Sequence, residues 1–435
     1  MTNILFCGKW PPIQGGVSRE SYEFVVSALE HGHRVRVVTN ADDVDATFRM
    51  RFAEGDLARV RLAAFGKSMK LRNTERVRYG SYIPWASPFL SSLLGSLLDE
   101  VSAEAPDVIL GSYLEPYGIA AALAGQLTDT PVLIRHAGSD IGRLAKVPSL
   151  KMAYRRVLSG VRSILTVPSG GASAALDDLG VPEDRRYILR GDPFNFEGFS
   201  DAASLDIEGL LSVSKSNGES SSASEAALPA SNRPFEPDGL VIGIYGKAGP
   251  SKGTVELAEG LGVLAQEGIP FTFLAMSTGW PSHLEMLQRV VKANDELARR
   301  TWFLPSVPTW RVPEFLARCD IVAFLENNFS IEFHGPRVPL EVIAARRVLM
   351  LSTDQHQRLS FNRALVDGKN VLLVDLAKRS SDITARLREV LVQREKFERL
   401  RGGAVTLPKL LGLSIESRAQ KLKHPMLSAV EELIP

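Results

Sequence analysis

Cysteine is nearly absent: the 435 residues hold two, Cys7 and Cys319, with no Cys-x-x-Cys pair and no Cys/His cluster beside either. That scarcity argues against a disulfide framework or a structural zinc site and predicts two buried, reduced thiols of a cytosolic protein. Long hydrophobic runs are also missing. The most apolar stretch, Ile83 to Leu98, is broken by Pro84, Pro88, several serines and Gly95, and the chain enters a short strand directly, so neither a spanning helix nor a signal peptide is expected. Charge of one sign is not in excess, and a formal net charge of +1 supplies no global field for nucleic acid or an anionic membrane. Four chemical signatures are lacking as well. Gly243, Gly246 and Gly249 do not have dinucleotide GxGxxG spacing, which disfavours a dehydrogenase. A phosphate-binding P-loop ending at Gly246-Lys247 would need glycine at Val241 and Ser or Thr at Ala248. No GxSxG elbow surrounds Ser139, and no DxD-type cluster argues for a metal.

What is present is an α/β alternation, written twice. Hydrophobic content of 45% over this length is too much for one core, so about two domains are expected. In the first half the strand-like runs are Ile4–Cys7, Arg34–Thr39, Val108–Leu110, Val132–Ile134 and Ile164–Val167, with amphipathic segments between them. Continuous apolar strands alternating with helices imply a parallel sheet covered on both faces. From Phe199 to about Gly239 the pattern collapses into Ser-rich text, predicted to be a linker or flexible insertion. The alternation then restarts with Leu240–Tyr245, Phe271–Met276, Thr301–Leu304, Ile321–Leu325, Val348–Leu351 and Val371–Val374. Two doubly wound domains facing a cleft follow, with ligands expected at the carboxyl ends of the strands.

Several loops at those ends carry chemistry. Gly246 to Gly253 joins a strand to a helix, holds Lys247 and Lys252, and suits a diphosphate, because backbone amides and ammonium groups converge there. Gly15-Gly16 precedes the first helix and fits either close approach to a ligand or a tight turn. The segment Arg135 to Asp140 puts the His136 imidazole and the Asp140 carboxylate on a glycine-containing turn able to offer polar groups to a sugar. In the second half, Glu332 to Glu341 leads into a helix whose first turn is a further anion site, and Glu341 could accept two hydrogen bonds from a ribose diol. Glu326 and the two asparagines after it could also reach the cleft. His31 and His33 flank a C-cap glycine and read as structural. The basic and aromatic stretch Lys67 to Trp85 is either an acceptor or membrane contact or an ordinary amphipathic element.

Taken in order, these pieces resemble the retaining glycosyltransferases of family 4, which have the GT-B fold. Gly15-Gly16 resembles that family's N-terminal glycine loop, His31 to Val35 its RGHEV-like turn, and Arg135 to Asp140 its HGxD segment. Ile188 to Phe194 fits the interdomain link loosely, and Lys247 with Lys252-Gly253 matches the Arg and Lys-Gly of the diphosphate loop. Phe303 to Val307 resembles the stretch that holds the nucleotide base, and Val338 to Glu341 the end of the Glu-x7-Glu motif. Two positions depart. Lys247 lacks the planar fork of the usual arginine, and Glu332 lies nine positions before Glu341 where the motif has eight.

The resemblance implies transfer of a sugar from a nucleotide diphosphate, UDP- or GDP-sugar, to a hydroxyl of a glycan, lipid or small-molecule acceptor. It implies retention of configuration and needs no metal and no cofactor. His136, Asp140 and Glu332 would face the sugar and acceptor; Gly15, Gly16, Lys247, Lys252, Val307, Gly335, Arg337, Val338 and Glu341 would hold the donor. The expected division is an acceptor-side domain at 1–198, the linker at 199–239, a nucleotide-sugar domain at 240–405 and a helical tail at 406–435 packing back. The expected location is cytoplasmic, with peripheral contact at the inner membrane face left open, as is the oligomeric state; no nucleic acid partner is expected. A GT-B nucleotide-sugar epimerase and a catalytically silent nucleotide-sugar binder are the competing readings.

Overall fold

The computed structural model describes residues 1–44, 48–53, 55–74, 88–142, 146–190, 198–216, 233–331, 335–413 and 423–434. Among them the strands form two parallel sheets. The first contains β1 (Asn3–Gly8), β2 (Arg34–Thr39), β3 (Met69–Asn73), β4 (Val108–Ser112), β5 (Val132–Arg135), β6 (Ser163–Thr166) and β7 (Arg186–Ile188), in the order β3-β2-β1-β4-β5-β6-β7. The second contains β8 (Leu240–Lys247), β9 (Phe271–Thr278), β10 (Thr301–Phe303), β11 (Ile321–Phe324), β12 (Val348–Ser352) and β13 (Val371–Val374), in the order β10-β9-β8-β11-β12-β13. These are two Rossmann-like sheets. In each, the strand order reverses beside the first strand, between β1 and β4 and between β8 and β11. Those reversals leave crevices at the carboxyl ends, where helices depart to opposite faces.

Alternation along each strand fills two apolar layers per sheet. Ile4 and Phe6 enter one layer of the first domain while Leu5 and Cys7 enter the other; Ile242 and Ile244 oppose Val241 in the second domain in the same way. Burial on both faces is why these strands read as unbroken apolar runs. Cys7 and Cys319 are free, buried thiols, and burial pushes both above the usual thiol range.

Three parts of the chain differ from the sequence reading. Strands β3 and β7 were not anticipated, because both are edge strands; β3 carries Lys70 and Arg72, and β7 spans only Arg186–Ile188. The stretch expected to be linker carries a helix, Ile207–Ser216, and Phe199, Leu205, Ile207, Leu210 and Leu211 are buried in one layer of the second domain. Its low hydrophobic density hid a short apolar stripe. The division expected after residue 405 falls inside the helix Arg394–Leu410, which keeps Phe397, Leu400 and Ala404 on the second domain's core. Beyond it the helix Pro425–Leu433 crosses back and buries Met426, Leu427, Ala429 and Val430 against the first domain.

Candidate functional site

The diphosphate-type loop follows β8. Gly246 turns the chain at φ 100°, Pro250–Lys252 form a short 3-10 turn, and Gly253 at φ 65° opens the helix Thr254–Gln266. Gly253 is required on two counts: its left-handed backbone, and a Cβ there would lie 2.5 Å from the Leu325 side chain and 2.8 Å from the Leu325 carbonyl oxygen. The tight turn packs the loop against the end of β11, where Asn327 donates its backbone N–H to the Ser251 carbonyl at 3.0 Å. Lys252 donates to the buried Glu326 carboxylate and lies 4.3 Å from the centre of the Phe329 ring. Lys247 stands exposed at the strand end.

Gly15 (φ 110°) and Gly16 begin the helix Gly16–Glu30, which faces the second domain. A Cβ at either glycine would meet open space, so the double glycine leaves room for a ligand against that helix end. The preceding residue, Gln14, binds across the cleft: its amide donates to the Ser306 hydroxyl at 2.8 Å and its carbonyl accepts from Thr278. Val307, beside Ser306, is buried in the second domain's core. Trp310 joins the domains further out, donating to Asp56 at 2.8 Å and packing on Tyr22 at 5.1 Å between ring centres.

Glu341 sits on the helix Val338–Ala344 with its carboxylate buried between the domains. One oxygen takes the Arg19 guanidinium of the first domain, the other the Tyr245 hydroxyl at the end of β8. Arg337, which precedes this helix, donates to Glu23 at 2.8 Å; Glu23 also accepts from Arg19 at 2.7 Å, and Arg135 reaches Glu20 at 3.3 Å. Burial opposes every charge in this chain of pairs. Even so, Glu23 and Glu341 hold the Arg19 guanidinium above its ordinary value, and Arg135 and Arg337 hold Glu20 below the usual carboxylate range. Burial, reinforced by Glu341, raises the Tyr245 phenol well above its usual value and keeps it a donor.

His136 and Asp140 lie together at the end of β5. The ring of His136 is buried, shares a 2.7 Å hydrogen bond with the Thr166 hydroxyl, and is lowered by burial to a pKa of about 3, so it is neutral at physiological pH. Its Nδ1 is buried without a protein partner among the described residues. Asp140 accepts the backbone N–H groups of Leu114 at 2.9 Å, Ala137 at 3.0 Å and Ile141 at 2.9 Å. Fully buried and so engaged, its carboxylate shapes the turn, and burial pushes its pKa up. Gly335 is exposed at the head of the loop into Val338, and Val338 packs against the second domain's core. Glu332 lies outside the described residues, as do 75–85 of the Lys67 to Trp85 stretch.

The structure thus gathers Gly15, Gly16, Arg337 and Glu341 at the domain interface and sets Lys247 and Lys252 on one loop beside it. Sequence reasoning missed Lys9, Gln14, Arg19, Tyr113 and Tyr245. Lys9 and Tyr113 directly follow β1 and β4, the two strands at the first sheet's reversal, and that position was a readable signal. Beneath the interface a cavity of about 280 Å³ opens on the first domain, lined by Glu20, Arg135, Leu189, Arg190, His424 and Pro425. His424 caps its helix by accepting the Met426 N–H at Nδ1, and its Nε2 is buried without a protein partner among the described residues. Among the described residues no three His, Cys, Asp or Glu side chains form a metal-binding group, and no described helix is long and apolar enough to cross a membrane.

Two Rossmann-like sheets facing one cleft, with glycine loops on both walls, define a GT-B protein. Residues 15–191 match the family described as Glycosyl transferase 4-like domain. No curated protein matches the chain by sequence. Among solved structures, Anabaena HepE in complex with UDP and glucose superposes with a TM-score of 0.62 at 14% identity, covering 99% of this chain and 100% of that one. Sucrose-phosphate synthase from Thermosynechococcus elongatus gives 0.61 at 12% identity, covering 99% and 98%. A putative UDP-N-acetylglucosamine 2-epimerase from Listeria monocytogenes gives 0.53 at 12% identity, covering 97% and 98%. At these identities the likeness establishes the fold.

Proposed function

We propose that the protein is a retaining glycosyltransferase that moves a sugar from a UDP- or GDP-sugar to a hydroxyl of a glycan, lipid or small molecule. The observation that carries this reading is the loop Gly246 to Gly253, where Lys247, Lys252 and the amide end of the helix Thr254–Gln266 meet at the cleft. Transfer makes a leaving diphosphate, whose growing negative charge fixed cations and helix ends stabilise more than they stabilise the intact donor. That assigns Lys247 and Lys252 the electrostatic work without a metal. Glu341 takes the ribose by exchanging its present partners, Arg19 and Tyr245, for the diol. Gly15 and Gly16 let the first domain's backbone close on the donor, and the acceptor enters from that domain, beside His136. HepE, of the same fold, is described with UDP and glucose, which supports a nucleotide-sugar donor here.

The test is a screen of nucleotide sugars for slow hydrolysis, read as released UDP, GDP or ADP. Release of one diphosphate, lost on Lys252→Ala, is the expected result; a protein that binds UDP and GDP but releases neither is a silent binder. Free sugar isomers formed without acceptor would instead favour an epimerase, a chemistry named for one protein of this fold.

A further inference from the structure

The cavity of about 280 Å³ on the first domain is lined by residues outside both glycine loops. It lies at the carboxyl ends of β5, β6 and β7, against the helix Gly16–Glu30 and the start of the helix Pro425–Leu433. Arg190 on its wall is the last described residue before the chain reaches Phe199 in the second domain's core, and His424 follows the return from Leu413 in that core. Val167, Leu189 and Pro425 give it apolar sides, and its volume suits a molecule of about ten non-hydrogen atoms.

Two buried donors on this wall, His424 Nε2 and Arg135 Nε, have no acceptor among the described residues. His424 is 5% exposed and is fixed on two sides. Its backbone N–H donates to the Ser27 hydroxyl at 3.1 Å, and its Nδ1 accepts the Met426 N–H at 3.2 Å. Burial lowers this imidazole to a pKa of about 4, so at physiological pH the ring is neutral. A neutral ring that accepts at Nδ1 carries its proton on Nε2. The cap turns that N–H away from the helix and toward the cavity that the ring lines. Arg135 donates from one terminal nitrogen to Glu20 at 3.3 Å, which leaves its Nε–H uncommitted among the described residues. Donors buried in this way lose their hydration without a bond in return, unless an acceptor enters.

Charge narrows the kind of acceptor. The ionised side chains on the wall are Arg135 and Arg190 against Glu20, two cations to one carboxylate, with Arg190 exposed at the rim. One further negative charge balances them; a second would be repelled by Glu20 where burial weakens screening. We propose that this cavity is a binding site for a small organic monocarboxylate, whose oxygens accept from His424 Nε2 and Arg135 Nε, and whose apolar body lies on Val167, Leu189 and Pro425. Its two oxygens match two single N–H donors, and Arg190 adds its charge at the rim. The site is separate from the donor loop and does not rest on the nucleotide-sugar reading.

NMR of the full chain, labelled with heavy nitrogen at histidine, tests this during titration with benzoate, isocaproate, benzamide and inorganic phosphate up to millimolar concentration. The ring signal that vanishes in His424→Asn belongs to His424, and asparagine keeps the helix capped. A carboxylate is expected to move that signal saturably with the proton still on Nε2, and benzamide and phosphate are expected to bind at least about tenfold more weakly. By calorimetry, His424→Asn and Arg190→Gln are each expected to weaken the better carboxylate about tenfold. Binding of neither benzoate nor isocaproate would overturn the site. Benzamide binding as tightly as benzoate, or phosphate binding more tightly than both carboxylates, would overturn the monocarboxylate assignment. Parent affinity in both variants would place the ligand elsewhere and overturn the site as well.

Discussion

Arg19 and Glu341 lie 322 positions apart and form an ion pair buried at the domain interface, with Tyr245 on the second carboxylate oxygen. The residue proposed to take the ribose diol is therefore held by the opposite domain. Truncating it exposes two roles at once. Glu341→Ala takes one carboxylate from Arg19 in a buried site where Glu23 is another, and is expected to cost about 3 kcal/mol of stability. Urea unfolding measures that loss, and UDP titration should show a parallel loss of affinity. Glu341→Gln keeps the shape, and is expected to recover most of the stability while UDP binding stays weakened.

Lys252 is more entangled with the fold than its place on a glycine loop suggests. Its ammonium neutralises Glu326, a carboxylate 3% exposed. Lys252→Met should therefore lower both turnover and stability, the latter by about 1–3 kcal/mol. Adding Glu326→Gln removes the charge left behind. The double variant is expected to regain stability but not turnover, and a double-mutant cycle in both readouts separates structure from chemistry. Equal recovery of turnover would withdraw Lys252 from the diphosphate.

The strands that build both cleft walls were readable because burial on two faces demands unbroken apolar runs such as Ile4–Cys7 and Ile321–Leu325. β3 and β7 escaped because Lys70, Arg72 and Arg186, which pair with Glu100, Asp99 and Asp177, interrupt the apolar run. The helix Ile207–Ser216 escaped because its buried apolar residues Ile207, Leu210 and Leu211 are followed in sequence by serine-rich text. At the site, glycines and lysines of one loop are local and could be found by spacing. The partners of Glu341 could not: Arg19 lies 322 positions away in the other domain and Tyr245 lies 96 away in its own, so only the tertiary fold brings them together.

The two buried histidines predict how the protein responds to acid. His136 is lowered to a pKa of about 3 and His424 to about 4, in both cases chiefly by burial, against an ordinary value of 6.5. Between those values the unfolded chain binds protons that the folded one refuses, so stability is lost as pH falls below about 6.5. His136→Gln, which keeps a hydrogen-bonding group toward Thr166, is expected to flatten the slope of stability against pH between 4 and 6 by up to one proton. Chemical denaturation at several pH values measures it. Activity above pH 6, by contrast, should show no titration belonging to His136.

Gly253 offers the sharpest separation of loop geometry from the rest of the second domain. Its φ of 65° disfavours any side chain, and a Cβ would collide with the Leu325 carbonyl oxygen at 2.8 Å. Backbone atoms give way poorly, so Gly253→Ala must push the loop off the end of β11 and carry Lys252 away from Glu326. The left-handed backbone alone costs about 1–2 kcal/mol. Because the loop bounds the core without filling it, the six-stranded sheet should survive with near-native circular dichroism. UDP binding should fall by more than the loss of stability accounts for. If Gly253→Ala bound UDP as the parent does, the phosphates would have to lie away from this loop, and Lys247 and Lys252 would lose their assignment together.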